Sequence, residues 1–127
     1  MDNSLIQINE ILVKYNKKIN DDMNSAMKDG AKKAAKYLKQ ESPKDKGAYA
    51  KSWKWKAEKY KTSGYRVYNE KHYQLTHLLE YGHDVVVNGK KVGHAKAYPH
   101  IKAVEERINK EIIDDLEGRL NQWILKA

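Results

Sequence analysis

YQLTHLLEYGHDVVVNGKKVGHAKAYP, residues 73–99, is the stretch on which the fold turns. Tyr73, Leu75, Leu78, Leu79 and Tyr81 form a short apolar helical face, and Gly82 closes it, since a residue without a Cβ tolerates the positive φ that ends a helix. The period then changes. Val85, Val86 and Val87 run into Asn88-Gly89, and Lys90, Lys91 and Val92 run away from it, which predicts a hairpin. The hairpin is short, polar and Lys-tipped, so it is expected to project over residues 84–93. A connector, Gly93 to Ala97, leads to Tyr98-Pro99, and Pro99 is expected in the first turn of a final helix.

Upstream, Leu5, Ile8, Leu12, Tyr15, Ile19, Met23, Ala26, Ala31, Ala34, Ala35 and Leu38 recur mostly at steps of three and four, which predicts helix. The pattern runs without Pro until Pro43, so it describes either one long helix or a broken pair. Asn20 to Asp22 and Gly30 are the weak points. One unbroken helix would reach ~50 Å, more than a compact body of this size needs, and its overhang would require a partner. Ser42 to Gly47 ends the helix, and Gly47 to Ser52 has room for one helical turn. Trp53, Trp55 and Ala57 then alternate with Lys54, Lys56 and Glu58, with a bulge near Tyr60 and a turn at Thr62-Ser63-Gly64. Tyr65, Val67 and Asn69 alternate with Arg66 and Tyr68. Trp53, Trp55, Tyr65 and Val67 are the expected buried set.

Beyond Pro99, Ile101, Val104, Ile108, Ile112, Leu116, Leu120 and Ile124 mark a long helix. The expected class is therefore α+β. It comprises a long N-terminal helix or broken helix pair, a small antiparallel sheet of three to four strands with a short helix inserted, and a long C-terminal helix packed on the sheet. At 127 residues the chain has the size of a single domain, 1–127.

Composition narrows the function. Cysteine is absent, which removes disulfide scaffolds, thiolate zinc sites and cysteine catalysis. No apolar run approaches the ~18 residues of a membrane span, and Asp2-Asn3 is no basic lead-in to a signal segment, so no membrane partner is expected. The net charge is +8, and twelve Lys against four acids between Lys28 and Lys61 account for all of it. From Glu105 to Arg119 six acids face three bases. A basic half and an acidic stripe suit either a polyanion or electrostatic steering between copies. Trp and Tyr interleaved with Lys and Arg keep open a free-standing basic nucleic-acid-binding or regulatory protein. The blander account of these aromatics is cross-strand packing.

Of the histidines, His72, His77, His83, His94 and His100, none has metal-site spacing, and all are expected at the surface or an interface. Glu80, followed by Tyr81-Gly82-His83, is the one acid suggestive of acid/base work. A helix C-terminus disfavours a carboxylate, so a bond to a Lys or to the backbone of the next loop is the alternative. No nucleophile elbow, paired carboxylate or phosphate loop is present. The expectation is a chain that is no enzyme and needs no cofactor or metal.

These residues together resemble the small head-tail joining or tail-completion proteins of long-tailed bacteriophages. The likeness lies in the Pro43 to Gly47 turn, Leu79-Glu80-Tyr81-Gly82, and Tyr98-Pro99-His100-Ile101 leading to a long helix, and it spans roughly residues 5–120. Lys46 and His83 stand where that family commonly has Thr, and His100 where it commonly has an aromatic. The resemblance implies a structural virion protein completing the neck or tail top, formed in the host cytoplasm and placed in the virion between head connector and tail tube. It implies self-association as a ring, a hexamer once assembled though a monomer when free, with an adaptor ring and a tail tube or terminator protein as neighbours. On this chain it makes Asn88, Gly89, Lys90 and Lys91 a docking loop, and Pro43, Gly47, Glu80, Gly82 and Pro99 signature turn residues. It leaves Lys54, Lys56 and Arg66 for a channel or an acidic partner, with non-specific contact to genomic DNA.

Overall fold

The computed structural model describes residues 3–44, 47–58 and 64–126. The bulge expected at Tyr60, the Thr62-Ser63 part of the turn and Lys46 lie outside them. Among the described residues four helices and four strands follow in the order α1 (Asn3–Glu41), α2 (Ala48–Lys51), β1 (Trp53–Ala57), β2 (Tyr65–Asn69), α3 (Leu75–Tyr81), β3 (His83–Val87), β4 (Lys90–Ala95) and α4 (Ile101–Lys126). The class is α+β, with the long terminal helices and the short inserted helix where periodicity put them.

Helix α1 runs unbroken for 39 residues, about 58 Å at 1.5 Å per residue. The expected weak points do not break it. Lys17 and Lys18 pair with Asp21 and Asp22 one turn on, at 3.5 and 3.1 Å, which supports the helix across Asn20 to Asp22. At Gly30 α4 packs close: a Cβ there would lie 2.5 Å from Ile112.

Helix α4 packs chiefly along α1 rather than on a sheet. The two run antiparallel: Ala34 and Leu38 meet Val104 and Ile108 near one end, and Arg119 Nη2 reaches Asp29 at 2.9 Å further along. Tyr15 meets Trp123 edge-on, with centroids 4.4 Å apart, near the other end. Tyr49 and Trp53 complete the buried cluster, with Val67 and Leu79 against it. Ile11, Leu12 and Val13 of α1, on the N-terminal side of Tyr15, are exposed.

The strands correct one expectation. They form two separate two-stranded antiparallel sheets, β1-β2 and β3-β4, not one sheet of three or four. In the first, Trp53 faces Asn69, Trp55 faces Val67 and Ala57 faces Tyr65, the alternation read from the sequence. In the second the turn is Asn88 (φ 52°) and Gly89 (φ 78°), the two positive φ values of a type I′ hairpin. Helix α3 stands between the hairpins in the chain. The Tyr98 N–H donates to the Leu79 carbonyl, so the connector returns to α3 and β4 does not extend the first sheet.

Pro99 also departs from expectation, lying two residues before α4 instead of in its first turn. The apolar residues of α3 are not a covered face: Leu75, Leu78 and Tyr81 are exposed and Leu79 only half-buried, while Glu80 is buried.

Candidate functional site

The first N–H groups of an α-helix have no partner within it and carry the positive end of its dipole. In α4 they are met from 20 residues upstream. Glu80 Oε1 accepts from the N–H of His100 (2.7 Å) and of Ile101 (2.8 Å), and Oε2 from the N–H of Lys102 (3.1 Å). A carboxylate that would be disfavoured at the end of its own helix is thus held at the start of another. Burial pushes the carboxyl of Glu80 upward, but the three backbone N–H groups together hold it below its ordinary value.

Gly82 makes this reach feasible. Its φ of 76° and ψ of 171° form a combination essentially restricted to glycine, and a Cβ would lie 2.7 Å from the Ala95 carbonyl oxygen and 2.9 Å from the Ala97 nitrogen. The acid and the glycine of the Glu80-Tyr81-Gly82 motif therefore do related work. One caps α4, and the other lets the returning connector press against the end of α3.

Among the described residues His100 is the most buried large side chain, 1% exposed, which overturns its reading as a surface or interface histidine. Nδ1 donates to the Tyr98 carbonyl at 2.7 Å, and Nε2, left as acceptor, takes the hydroxyl proton of Tyr49 at 2.7 Å. Its ring lies edge-on to Tyr49 and Trp53, with centroids 5.6 and 6.4 Å away. It therefore fills an aromatic's place while satisfying two polar neighbours. Burial, reinforced by the charge on Glu80, pushes the Tyr49 hydroxyl up to about 12.

The polar core continues outward. Asn69 Nδ2 donates to the Tyr49 carbonyl and Oδ1 accepts from the His72 N–H, each at 2.9 Å. Trp53 Nε1 donates to Ser42 Oγ at 2.8 Å, and that hydroxyl donates to the Leu38 carbonyl. The sequence marks neither Tyr49, Asn69 nor Ser42 as part of a polar core, and it puts His100 at a surface or interface. The nearest signal was the inward register of Asn69.

Chemically, this centre ties elements together. Both oxygens of Glu80 are committed to backbone N–H groups in a side chain 6% exposed, so it presents no base to a substrate. His83, the histidine that follows it in sequence, does not bond to it. Among the described residues no three His, Cys, Asp or Glu side chains are placed to hold a metal ion, and no helix is long and apolar enough to cross a membrane.

The other residues singled out fall on surfaces. Asn88, Gly89, Lys90 and Lys91 form the exposed hairpin tip. Behind it, hydrogen bonds from His94 and Lys91 hold the carboxyl of Asp84 below its ordinary value. Lys54, Lys56 and Arg66 come together on the outer face of the first hairpin, where Lys56 faces Arg66 across the strands. Lys54 pairs with Glu70 at 3.7 Å, and Lys56 lies over the Tyr68 ring at 5.1 Å. Gly47 (φ 81°) sits at the start of α2, Pro43 is half-buried beside the end of α1, and Pro99 is exposed.

Two long antiparallel helices, two hairpins and a buried helix cap make this a small α+β protein. The chain belongs to the bacteriophage HK97-gp10-like family: residues 7–82 match the family described as "Bacteriophage HK97-gp10, putative tail-component". The matched residues run from α1 through Gly82 and include Pro43, Gly47 and Glu80, while the β3-β4 hairpin and α4 follow them. No curated protein and no solved structure matches the chain.

Proposed function

We propose that this tail component is a structural subunit completing the neck or tail top, joining copies of itself in a ring of six between the head connector and the tail tube. In this reading residues 1–127 act as one unit. The Asn88-Gly89-Lys90-Lys91 tip docks on a neighbour, and Lys54, Lys56 and Arg66 face the channel or an acidic ring. The observation that carries it is the amount of ordered apolar surface left open. Tyr81 is 75% exposed, Tyr73 63% and Val92 62%, with Leu78, Val86 and Val87 beside them in sequence.

A two-stranded hairpin alone is marginal in water. Its valines, like Ile11, Leu12 and Val13 on α1, fit surfaces that are covered on assembly. Contacts of this kind need not hold free copies together, so a monomer in solution accords with the proposal.

The test is an amber mutation in the gene within its phage, with particles examined by electron microscopy. Filled heads and separate tails, rejoined when the protein is supplied, are expected. Joined, infectious virions at normal titre without the protein would refute the role.

A further inference from the structure

Helix α1 treats its lysines in two ways. Lys17 and Lys18 each have an aspartate one turn on. Further along, Lys32, Lys36 and Lys39 share one face at steps of four and three, and among the described residues none has a carboxylate within ion-pair distance. Like charges at such spacing oppose the helix. Opposite them stands β1, and Lys54 and the half-buried Trp55 close a cleft of about 350 Å³. Lys32 Nζ lies 5.5 Å from the Trp55 ring centroid. Lys54 has Glu70 at 3.7 Å on the outer side of the strand pair.

We propose that this cleft binds the phosphate backbone of a nucleic acid; it shares Lys54 with the face described above but does not depend on whether the ring forms. Four ammonium groups lining one cleft supply the charge, and the indole supplies a flat face of the kind that stacks bases. The acidic side of α4 on a second copy is a poorer counterpart, because exposed Lys110 and Ile113 interrupt Glu106, Asp114 and Glu117.

The test uses the full chain and fluorescence anisotropy with labelled oligonucleotides of about 20 nucleotides, single-stranded and duplex in separate arms. If four lysines each neutralise a phosphate, affinity falls between 50 and 200 mM salt by about 150-fold for duplex and about 50-fold for single strand. In K36Q/K39Q these falls shrink to about 12-fold and about 7-fold. The hairpin variant K90Q/K91Q keeps the parent's salt dependence. The stronger arm identifies which form of nucleic acid the cleft takes.

Absence of binding by both forms at ~50 mM salt overturns the proposal. So does a K36Q/K39Q variant, folded by circular dichroism, with an unchanged salt dependence. Self-association that K36Q/K39Q abolishes while nucleic acid remains unbound would give the cleft to a second copy instead.

Discussion

Replacing Glu80 by Gln tests the central structural claim with almost no change of shape. The amide oxygen can keep the bonds from His100 and Ile101, but the amide nitrogen then points a donor at the Lys102 N–H. Losing a charge-assisted bond and setting donor against donor costs about 1–3 kcal/mol. Removing the anion from the start of α4 costs about 1 kcal/mol more. A neutral side chain is easier to bury, which offsets part of this. The net loss is about 2 kcal/mol, or roughly 6–10 °C in Tm for a chain of this length.

Acid strengthens the test. The folded carboxyl lies below its ordinary 4.5, so its contribution is complete above that value and is lost as pH falls through the folded pKa. Urea unfolding of parent and E80Q should therefore differ by a constant amount above about pH 5 and converge below it. A variant within about 0.5 kcal/mol of the parent at neutral pH, or a gap that persists unchanged in acid, would refute the cap.

The remaining predictions concern neighbours of that cap. Gly82→Ala forces a Cβ onto two backbone atoms and should cost more than about 3 kcal/mol in denaturant unfolding. Tyr49→Phe strips the buried His100 Nε2 of its donor, an expected loss of about 1–3 kcal/mol at neutral pH. In the parent, the Tyr49 hydroxyl pushed up to about 12 makes stability fall as pH rises from about 10 towards 12, because only the unfolded chain releases that proton early. Tyr49→Phe should lack this part of the alkaline slope, as read from melts at pH 9 and 11. Trp53→Phe removes the bond to Ser42 and part of a fully packed ring, and should lower stability by about 1–3 kcal/mol in urea.

Much of the fold is local in origin and could be read along the chain. Three- and four-residue spacing specifies α1 and α4, Asn88-Gly89 specifies the hairpin turn, and alternation from Trp53 to Asn69 specifies the first pair of strands. Each is set by the backbone geometry of neighbouring residues, so no distant partner is needed to recognise it. The site was only half legible. Glu80 stood out as misplaced at a helix end, and a backbone bond in the next loop was among its readings, but its actual partner is the start of α4.

Periodicity marks which side of a helix is apolar without saying what covers it. Leu75, Leu78 and Tyr81 have the pattern of a buried face and lie open, as do Ile11, Leu12 and Val13 of α1. The expected single sheet of three to four strands is instead two pairs, because sheet membership depends on where α3 and the connector direct the chain. The sequence by itself determined the elements, their order and the segregation of charge, all consequences of short-range spacing. Only the tertiary structure decided that Glu80, His100, Tyr49 and Asn69 share one buried network, because burying a polar group depends on a partner far along the chain arriving at hydrogen-bonding distance.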